Sequence, residues 1–74
     1  MQSIETKHIQ IAVNGEDRSV PEGSNLLEVL SHLKIQSDRV AIEKDRAIVR
    51  KGDWEATIVQ PGAQLEIVQF VGGG

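Results

Sequence analysis

Apolar and polar side chains alternate in two segments at opposite ends of the chain. In residues 8–13 every second side chain is apolar, and residues 65–70 follow a similar pattern. Period-two alternation predicts half-buried strands, because successive side chains of a strand point to opposite faces. Asn14-Gly15 follows the first segment at once and is typical of a two-residue hairpin turn. We therefore expect residues 18–20 to form the returning strand, which Pro21-Glu22-Gly23 ends.

Between these segments the spacing of apolar residues is helical. Leucine and valine side chains recur on one broad face of a helix, at Leu26, Leu27, Val29, Leu30 and Leu33. Asn25 is a favourable N-cap residue, and Glu28 lies three positions later, where it completes the pattern of a capping box. The sequence therefore predicts a helix from about Leu26 to Leu33 or Lys34.

After the helix the pattern predicts two short strands and then the final strand. Residues 40–43 and 47–49 are joined by a turn at Asp45-Arg46. Residues 57–59 have the pattern of a turn or a short piece of strand. The final strand, residues 65–70, has apolar residues on both faces, which predicts a central position in the sheet.

The order strand, strand, helix, strand, strand, strand indicates the fold class. One helix covers only one face of a sheet, so we expect a two-layer α+β domain. The arrangement that fits is the ubiquitin-like β-grasp, a mixed sheet of four to five strands with one helix packed across one face. Its first and last strands pair in parallel at the centre. We expect this domain to span residues 8–71, with a frayed extension at residues 1–7 and a flexible tail at residues 72–74.

Composition and charge exclude several classes of function. The 74 residues include no cysteine, which excludes a disulfide scaffold, a thiolate metal site and a thiol nucleophile. The formal net charge of -3 argues against a nucleic-acid partner, since phosphate contacts need clustered Lys and Arg. No apolar run approaches the roughly 20 residues that cross a bilayer, and no signal peptide is visible. We therefore expect a cytoplasmic protein without a membrane partner.

The side chains that commonly carry catalysis or bind metals form no pattern in this sequence. His8 and His32 are far apart and lack ligand spacing, so we expect both to be surface residues. No serine lies in a nucleophile motif, no pair of carboxylates stands out for acid–base chemistry, and there is no phosphate-binding loop. We therefore expect neither an enzyme active site nor a bound metal or cofactor.

Gly72-Gly73-Gly74, directly after a strong strand, is the exception. A glycine-rich terminus is often only a loose end. Glycine has no Cβ, however, so its backbone also fits into a narrow channel where other residues would clash. Three extended residues span about 10 Å, enough to carry the carboxylate of Gly74 into a partner's active site. Since a carboxylate becomes reactive when joined to AMP, Gly74 is the candidate reactive residue, with Gly72 and Gly73 as a threading arm.

A resemblance to a known family covers nearly all of the chain from Ile9 onward. The segments that carry it are Ile11-Ala12-Val13-Asn14-Gly15, Pro21-Glu22-Gly23, Leu26 to Leu30, Val40-Ala41-Ile42-Glu43, Ile48-Val49, Gly52-Asp53-Trp54 and residues 65–74, of which Phe70-Val71-Gly72-Gly73-Gly74 is the most specific. They resemble the thiamin-biosynthesis sulfur carrier family, ThiS. The resemblance implies that a ubiquitin-activating-type enzyme adenylates Gly74 with ATP, and that a sulfur donor of the desulfurase or rhodanese type supplies the sulfur of a thiocarboxylate. It also implies that thiazole synthase takes this sulfur to build the thiazole of thiamin. The chain itself would then be a protein co-substrate, not an enzyme.

The turn at Asp45-Arg46 departs from the Asn-Gly that is usual in this family, so by this comparison we expect a loose hairpin there. The resemblance places Phe70 and Val71 where the folded domain meets its partner. Trp54 either belongs to this interface or closes the edge of the core. Two other functions fit the same tail, the small subunit of molybdopterin synthase and a ubiquitin-like modifier attached to lysine. The molybdopterin subunits tend to carry a longer stretch, rich in proline and aromatic residues, before their terminal glycines, and this sequence lacks it. A β-grasp interaction module with an incidental tail is a third alternative.

Overall fold

The computed structural model describes residues 7–70 of the chain. This part contains one α-helix and five strands, in the order β1 (His8–Val13), β2 (Glu16–Pro21), α1 (Leu26–His32), β3 (Val40–Lys44), β4 (Ala47–Val49) and β5 (Gln64–Gln69). Two short 3-10 helices, Ser37–Arg39 and Lys51–Asp53, lie in the connections. The predicted strand and helix segments are confirmed, with boundaries shifted by one or two residues.

The five strands form one mixed sheet in the order β2-β1-β5-β3-β4. The first and last strands, β1 and β5, pair in parallel, with Ala12 opposite Gln64 and Val13 opposite Leu65. All other neighbours are antiparallel. The helix packs across one face of this sheet, so the expected ubiquitin-like β-grasp architecture is confirmed, including the central position of β5.

Helix α1 begins at the predicted capping box. The Asn25 side chain accepts a hydrogen bond from the Glu28 N–H at 2.8 Å, and the Glu28 carboxylate accepts one from the Asn25 N–H at 2.9 Å. These two bonds satisfy donors that the first helical turn leaves without intrahelical partners. The helix is shorter than predicted, because Leu33 is its C-cap and Lys34 follows with a positive φ of 60°.

The hydrophobic core lies between α1 and one face of the sheet. It consists almost entirely of aliphatic side chains contributed by alternate positions of the strands and by one face of the helix. The buried members are Ile9, Ile11, Val13, Val20, Leu26, Val29, Leu30, Ile42, Trp54, Val59, Ala63, Leu65 and Ile67. The opposite face of the sheet, here called the open face, has no layer of described residues packed on it.

The turn between β3 and β4 differs from the expected loose hairpin. Asp45 and Arg46 both have positive φ values, 50° and 74°, as a tight two-residue hairpin turn requires. The turn is also tied to the start of β5, because the Asp45 N–H donates to the Gln64 carbonyl at 2.8 Å and the Asp45 carboxylate accepts from the Gln64 N–H at 3.0 Å. The expectation of a loose hairpin was wrong, because it considered only the missing glycine and not these cross-strand bonds.

Candidate functional site

The candidate site begins where β5 carries the chain to Phe70, the last described residue. The Phe70 N–H donates to the Arg39 carbonyl at 2.8 Å. On the side that faces β3, the hydrogen bonding of β5 therefore continues as far as Phe70. Phe70 is 57% exposed, and the alternation of β5, extended by one residue, assigns it to the same face as Val68. Val71, Gly72, Gly73 and Gly74 lie outside the described residues, and their predicted roles stay predictions.

Asn14 holds β5 from the β1 side. Its N–H donates to the Leu65 carbonyl at 2.8 Å, which is the last backbone bond from this end of β1. Beyond that point its side-chain amide pairs with the backbone of Ile67, donating to the Ile67 carbonyl at 3.1 Å and accepting from the Ile67 N–H at 2.8 Å. The side chain thus makes the two hydrogen bonds that the backbone of a longer β1 would make. Strand β5 is therefore hydrogen-bonded on this side as far as Ile67.

The sequence indicated Asn14 only as a turn residue. Its positive φ of 52° confirms that reading, but the pairing with Ile67 was missed. A signal was present in the residue type, because among the residues that tolerate positive φ only asparagine offers both a donor and an acceptor on one short side chain. That signal becomes specific only once β1 and β5 are known to be neighbours.

The open face carries the large apolar side chains that the core does not use. Ile48 on β4 is 74% exposed, and Val68 on β5 is 54% exposed. Val68 and Phe70 are two positions apart, and we call this pair the apolar patch, whereas Ile48 lies on the far side of β3, opposite Glu43. Exposed apolar patches on small proteins often mark contact sites for partners. Its members Val68 and Phe70 lie on the strand that leads to Gly72-Gly73-Gly74.

The apolar residues on both faces of β5 predict a central position in the sheet, and this position is confirmed. Leu65 and Ile67 face the core, whereas Val68 and Phe70 face outward. A central strand with one open face keeps all its backbone partners, and its outward apolar side chains remain available for contact.

Acidic residues border the apolar patch at the middle of the sheet. Glu43 on β3 and Glu66 on β5 are direct cross-strand neighbours, and both are exposed on the open face. They line a shallow concavity of about 360 Å³ together with Ala12, Gln64 and Arg46. Among residues 7–70 the ion pairs are Arg18–Glu16 and Lys44–Asp45, so neither carboxylate of the Glu43–Glu66 pair has a cationic partner within 4 Å.

Asp45 is the ionisable group whose pKa is visibly changed by its surroundings. The Gln64 N–H that donates to its carboxylate lowers the pKa of Asp45, and the hydrogen bond from the Lys44 ammonium, at 3.2 Å, acts in the same direction. This carboxylate supports the turn and the start of β5. Its role is therefore structural, at the end of β5 remote from Phe70.

Trp54 lies in the core, the second of the two roles considered for it. Its side chain is 1% exposed, and its indole N–H donates to the Val49 carbonyl at 2.8 Å. The Lys51 ammonium lies 5.9 Å from the centre of the ring. Because Trp54 is on the helix side of the sheet and Phe70 is on the open face, the structure does not bring these two candidate interface residues together.

The described residues contain neither a group of metal ligands nor a membrane-spanning helix. Within residues 7–70, no group of three or more His, Asp or Glu side chains is placed to hold a metal ion. No helix in the same range is long and apolar enough to cross a membrane. The exposed end of β5 and the open face beside it are therefore the features on which a function can be built.

Comparisons with known proteins agree on one family. The sequence model of the ThiS family matches residues 10–74, which includes all three terminal glycines. A crystal structure of a thiamine biosynthesis protein (ThiS) from Geobacter metallireducens superposes with a TM-score of 0.77 at 33% identity, covering 89% of this chain and all of that chain.

Two kinds of natural relative match by sequence. A thiazole synthase of Magnetococcus marinus is 35% identical over 66 residues, which cover 89% of this chain but only 20% of that protein. An uncharacterized protein, ycf40, of Porphyra purpurea is 32% identical over 68 residues, covering 92% of this chain and 96% of that protein. The family match extends over most of the chain and agrees with the observed fold, and the chain therefore belongs to the ThiS family.

Proposed function

We propose that this chain is a sulfur carrier for thiamin biosynthesis, and that the carboxylate of Gly74 holds the sulfur. The observation that carries the proposal is the match of the ThiS family through residue 74, on a chain whose central strand leads directly to those glycines. The named roles of similar proteins point the same way, since the Geobacter metallireducens structure is that of a thiamine biosynthesis protein.

The proposed chemistry has two steps at Gly74, both carried out by partner enzymes in the cytoplasm. First, a carboxylate oxygen of Gly74 attacks the α-phosphorus of ATP, which forms an acyl adenylate and releases pyrophosphate. Second, a sulfur nucleophile from a desulfurase or rhodanese-type donor attacks the carbonyl carbon and displaces AMP. If the donor sulfur is the outer sulfur of a cysteine persulfide, the product is an acyl disulfide. A second thiol of the partner then attacks the donor's cysteine sulfur, forms a disulfide with it and releases the thiocarboxylate on Gly74. The chain has no cysteine, so a protein thiol of its own cannot hold the sulfur.

The structure supports this role because hydrogen bonds hold β5 on both sides close to the point where the tail begins. Asn14 pairs with Ile67 on one side of β5, and the Phe70 N–H bonds to Arg39 on the other. A partner therefore meets a strand of defined direction up to Phe70. From there the remaining residues need to bridge only a short distance, about 3.3 Å for each extended residue.

Thiazole synthase is the proposed acceptor of the sulfur. A region similar to this chain makes up about a fifth of a Magnetococcus marinus protein named thiazole synthase. Because the similar region and the rest of that thiazole synthase lie on one polypeptide, a functional interaction between the two is supported. We propose that the same relation holds between this chain and a thiazole synthase, as a contact that delivers the thiocarboxylate to the thiazole synthase active site.

An intact-mass measurement tests the carrier function. The full chain is incubated with ATP, a ubiquitin-activating-type enzyme and a sulfur donor, all from the same organism. We expect the mass to rise by the difference between one sulfur and one oxygen atom. An unchanged mass, under conditions in which a known carrier is converted by its own enzymes, would contradict the proposal. Conjugates of higher mass in lysate would indicate a protein modifier instead.

Two tail variants separate chemistry from folding. Removal of Gly73-Gly74 and, separately, the substitution Gly73→Val should each abolish thiocarboxylate formation. Both variants should retain the unfolding midpoint of the wild type, followed by the fluorescence of Trp54, because the buried core of the described part of the chain lies within residues 9–67. Co-purification with thiazole synthase would support the thiamin pathway, whereas co-purification with the large subunit of molybdopterin synthase would refute it.

A further inference from the structure

The dipeptide Asn14-Gly15 has a chemical property beyond its turn geometry. A backbone nitrogen can attack the side-chain carbonyl carbon of a preceding asparagine, which forms a five-membered succinimide ring. Glycine favours this attack, because it has no Cβ to hinder the approach of its nitrogen. The sequence contains one other asparagine, Asn25, and the branched side chain of Leu26 follows it. Asn14 is therefore the asparagine that the sequence makes the more reactive of the two.

The fold directs the side-chain amide of Asn14 away from the Gly15 nitrogen. Strand β1 lies between β2 and β5, and the chain turns at Gly15 toward β2. The amide points to the other side, toward β5, where its two hydrogen bonds to the Ile67 backbone are 3.1 and 2.8 Å long. The side chain must give up these bonds before the Gly15 nitrogen can attack it.

Once the amide is released, packing does not hinder the reaction. Asn14 and Gly15 are both exposed, so water reaches the turn. A Cβ placed on Gly15 would have no atom within 4 Å, so the backbone there has open space around it. The pairing with Ile67 is therefore the feature of the fold that limits the reaction.

The product of the reaction cannot make the same pairing. Asn14 uses both halves of its amide, as a donor to the Ile67 carbonyl and as an acceptor from the Ile67 N–H. An ionised aspartate only accepts hydrogen bonds, so it keeps the second bond and sets a charged oxygen against the carbonyl oxygen. Isoaspartate also lengthens the main chain of the turn by the side-chain methylene. Either product weakens the hydrogen bonding of β5 at Ile67.

We propose that Asn14 is a deamidation site, that its pairing with Ile67 protects it in the folded domain, and that its conversion releases β5 on the side of β1. The Gly15 nitrogen loses its proton and bonds to Cγ of Asn14, while the Cγ–Nδ2 bond breaks and Nδ2 leaves with a proton as ammonia. Water then opens the ring at Cγ to give aspartate, or at the backbone carbonyl carbon to give isoaspartate. Water is the sole co-reactant, and the inference does not rest on the carrier function.

The protection is measured by incubating the full chain at mildly alkaline pH, with and without enough guanidinium chloride to unfold it. Peptide mapping by mass spectrometry detects the replacement of a side-chain NH2 by OH, and an isoaspartyl methyltransferase labels isoaspartate. In the unfolded chain Asn14 should convert several times faster than Asn25. In the folded chain its conversion should be slower by roughly 5- to 150-fold, the factor that corresponds to two ordinary hydrogen bonds.

Hydrogen exchange of the Ile67 amide measures the same opening independently. Oδ1 of Asn14 is the acceptor of this N–H, so exchange requires that the Asn14 side chain leave it. Deamidation requires at least this release. The protection factor of the Ile67 amide therefore sets the smallest slowing expected for the conversion of Asn14 in the folded chain.

Asn14→Asp gives one product of the reaction directly, and Asn25→Asp is the matched control. The Asn25 side chain accepts from the Glu28 N–H at 2.8 Å, and aspartate is an equally good cap at that position. N14D should lower the urea midpoint by about 1–3 M and speed the exchange of the Ile67 amide. N25D should do neither.

Each part of the proposal has a result that would overturn it. Equal conversion of Asn14 and Asn25 in the unfolded chain would remove the site. Equal conversion of Asn14 in the folded and unfolded chains, or a slowing smaller than the protection factor of Ile67, would remove the protection. Equal midpoints for N14D and N25D would remove the release of β5. The carrier function would stand in every case, because the thiocarboxylate measurement tests it separately.

Discussion

The pairing of the Asn14 side chain with Ile67 predicts that Asn14→Gly destabilises the domain although glycine is the residue best suited to the backbone there. Glycine adopts the φ of 52° without steric cost, so the substitution introduces no strain at the turn. It does remove both side-chain bonds to the Ile67 backbone, at 3.1 and 2.8 Å. Strand β1 ends at Val13, so no backbone group of that strand can replace them.

The expected loss follows from these two bonds. Each intramolecular hydrogen bond contributes about 0.5–1.5 kcal/mol net, so the pair contributes about 1–3 kcal/mol. The greater backbone freedom of glycine in the unfolded chain adds about 0.5–1 kcal/mol to the loss. A domain of this size has a free energy of unfolding of roughly 4–11 kcal/mol, so the substitution should remove a substantial part of it.

Urea unfolding followed by the fluorescence of Trp54 measures the change directly. Trp54 is the sole tryptophan and is buried, so its emission reports on the core. With a slope of about 1 kcal/mol per M, the total loss of about 1.5–4 kcal/mol should lower the midpoint by roughly 1.5–4 M. Hydrogen exchange gives a local reading, because the Ile67 amide should lose protection more than the amides of β3.

Arg46→Gly is the matched control for this experiment. Arg46 also lies in a two-residue hairpin turn with positive φ, but no hydrogen bond or ion pair of its side chain is present among the described residues. Glycine relieves about 1–2 kcal/mol of left-handed strain and costs about 0.5–1 kcal/mol in unfolded-state freedom, so R46G should change the stability by between about 0 and +1.5 kcal/mol and should not destabilise the domain. If Asn14→Gly leaves both the midpoint and the Ile67 exchange rate unchanged, the assigned support of β5 is wrong.

Two further predictions concern other local features. Asn25→Ala should lower the free energy of unfolding by about 1 kcal/mol, because it removes the cap on the Glu28 N–H, whereas Asn25→Ser should retain most of it; urea midpoints of the two variants decide this. Asp45 has a folded-state pKa below its unfolded value, so its stabilising effect is present above the unfolded pKa and is lost as the pH falls through the folded pKa. Asp45→Asn should therefore show a smaller loss of stability on acidification than the wild type, and equal losses would refute the role of the charge.

The sequence was sufficient for features that depend on local spacing. The capping box needs only Asn25 and Glu28 at the right separation, and the alternation of Ile9, Ile11 and Val13 assigns the core face of β1. The parallel pairing of β1 with β5 followed from having one helix and an open sheet. Each of these predictions depends on residue spacing or on the order of helices and strands, and both can be read from a single sequence.

Features that depend on register could not be read from the sequence. Glu43 and Glu66 are separated by more than twenty residues, and a shift of one residue between β3 and β5 would place them on opposite faces. The burial of Trp54 depends on the carbonyl of Val49 being within reach of its indole, which only the folded loop provides. The bonds of the Asp45 carboxylate to Gln64 likewise join segments whose proximity no local pattern shows.

The central position of β5 also lowers the cost of the proposed transfer. When an enzyme binds an extended segment, each residue that it must order costs about 1–2 kcal/mol of backbone entropy. Residues 66–70 are already held, by Asn14 on one side and by β3 with Arg39 on the other. Had these five residues been free, the partner would have to offset about 5–10 kcal/mol more. Asn14→Gly should therefore raise the KM for activation even at temperatures where the variant is fully folded, whereas Arg46→Gly should not.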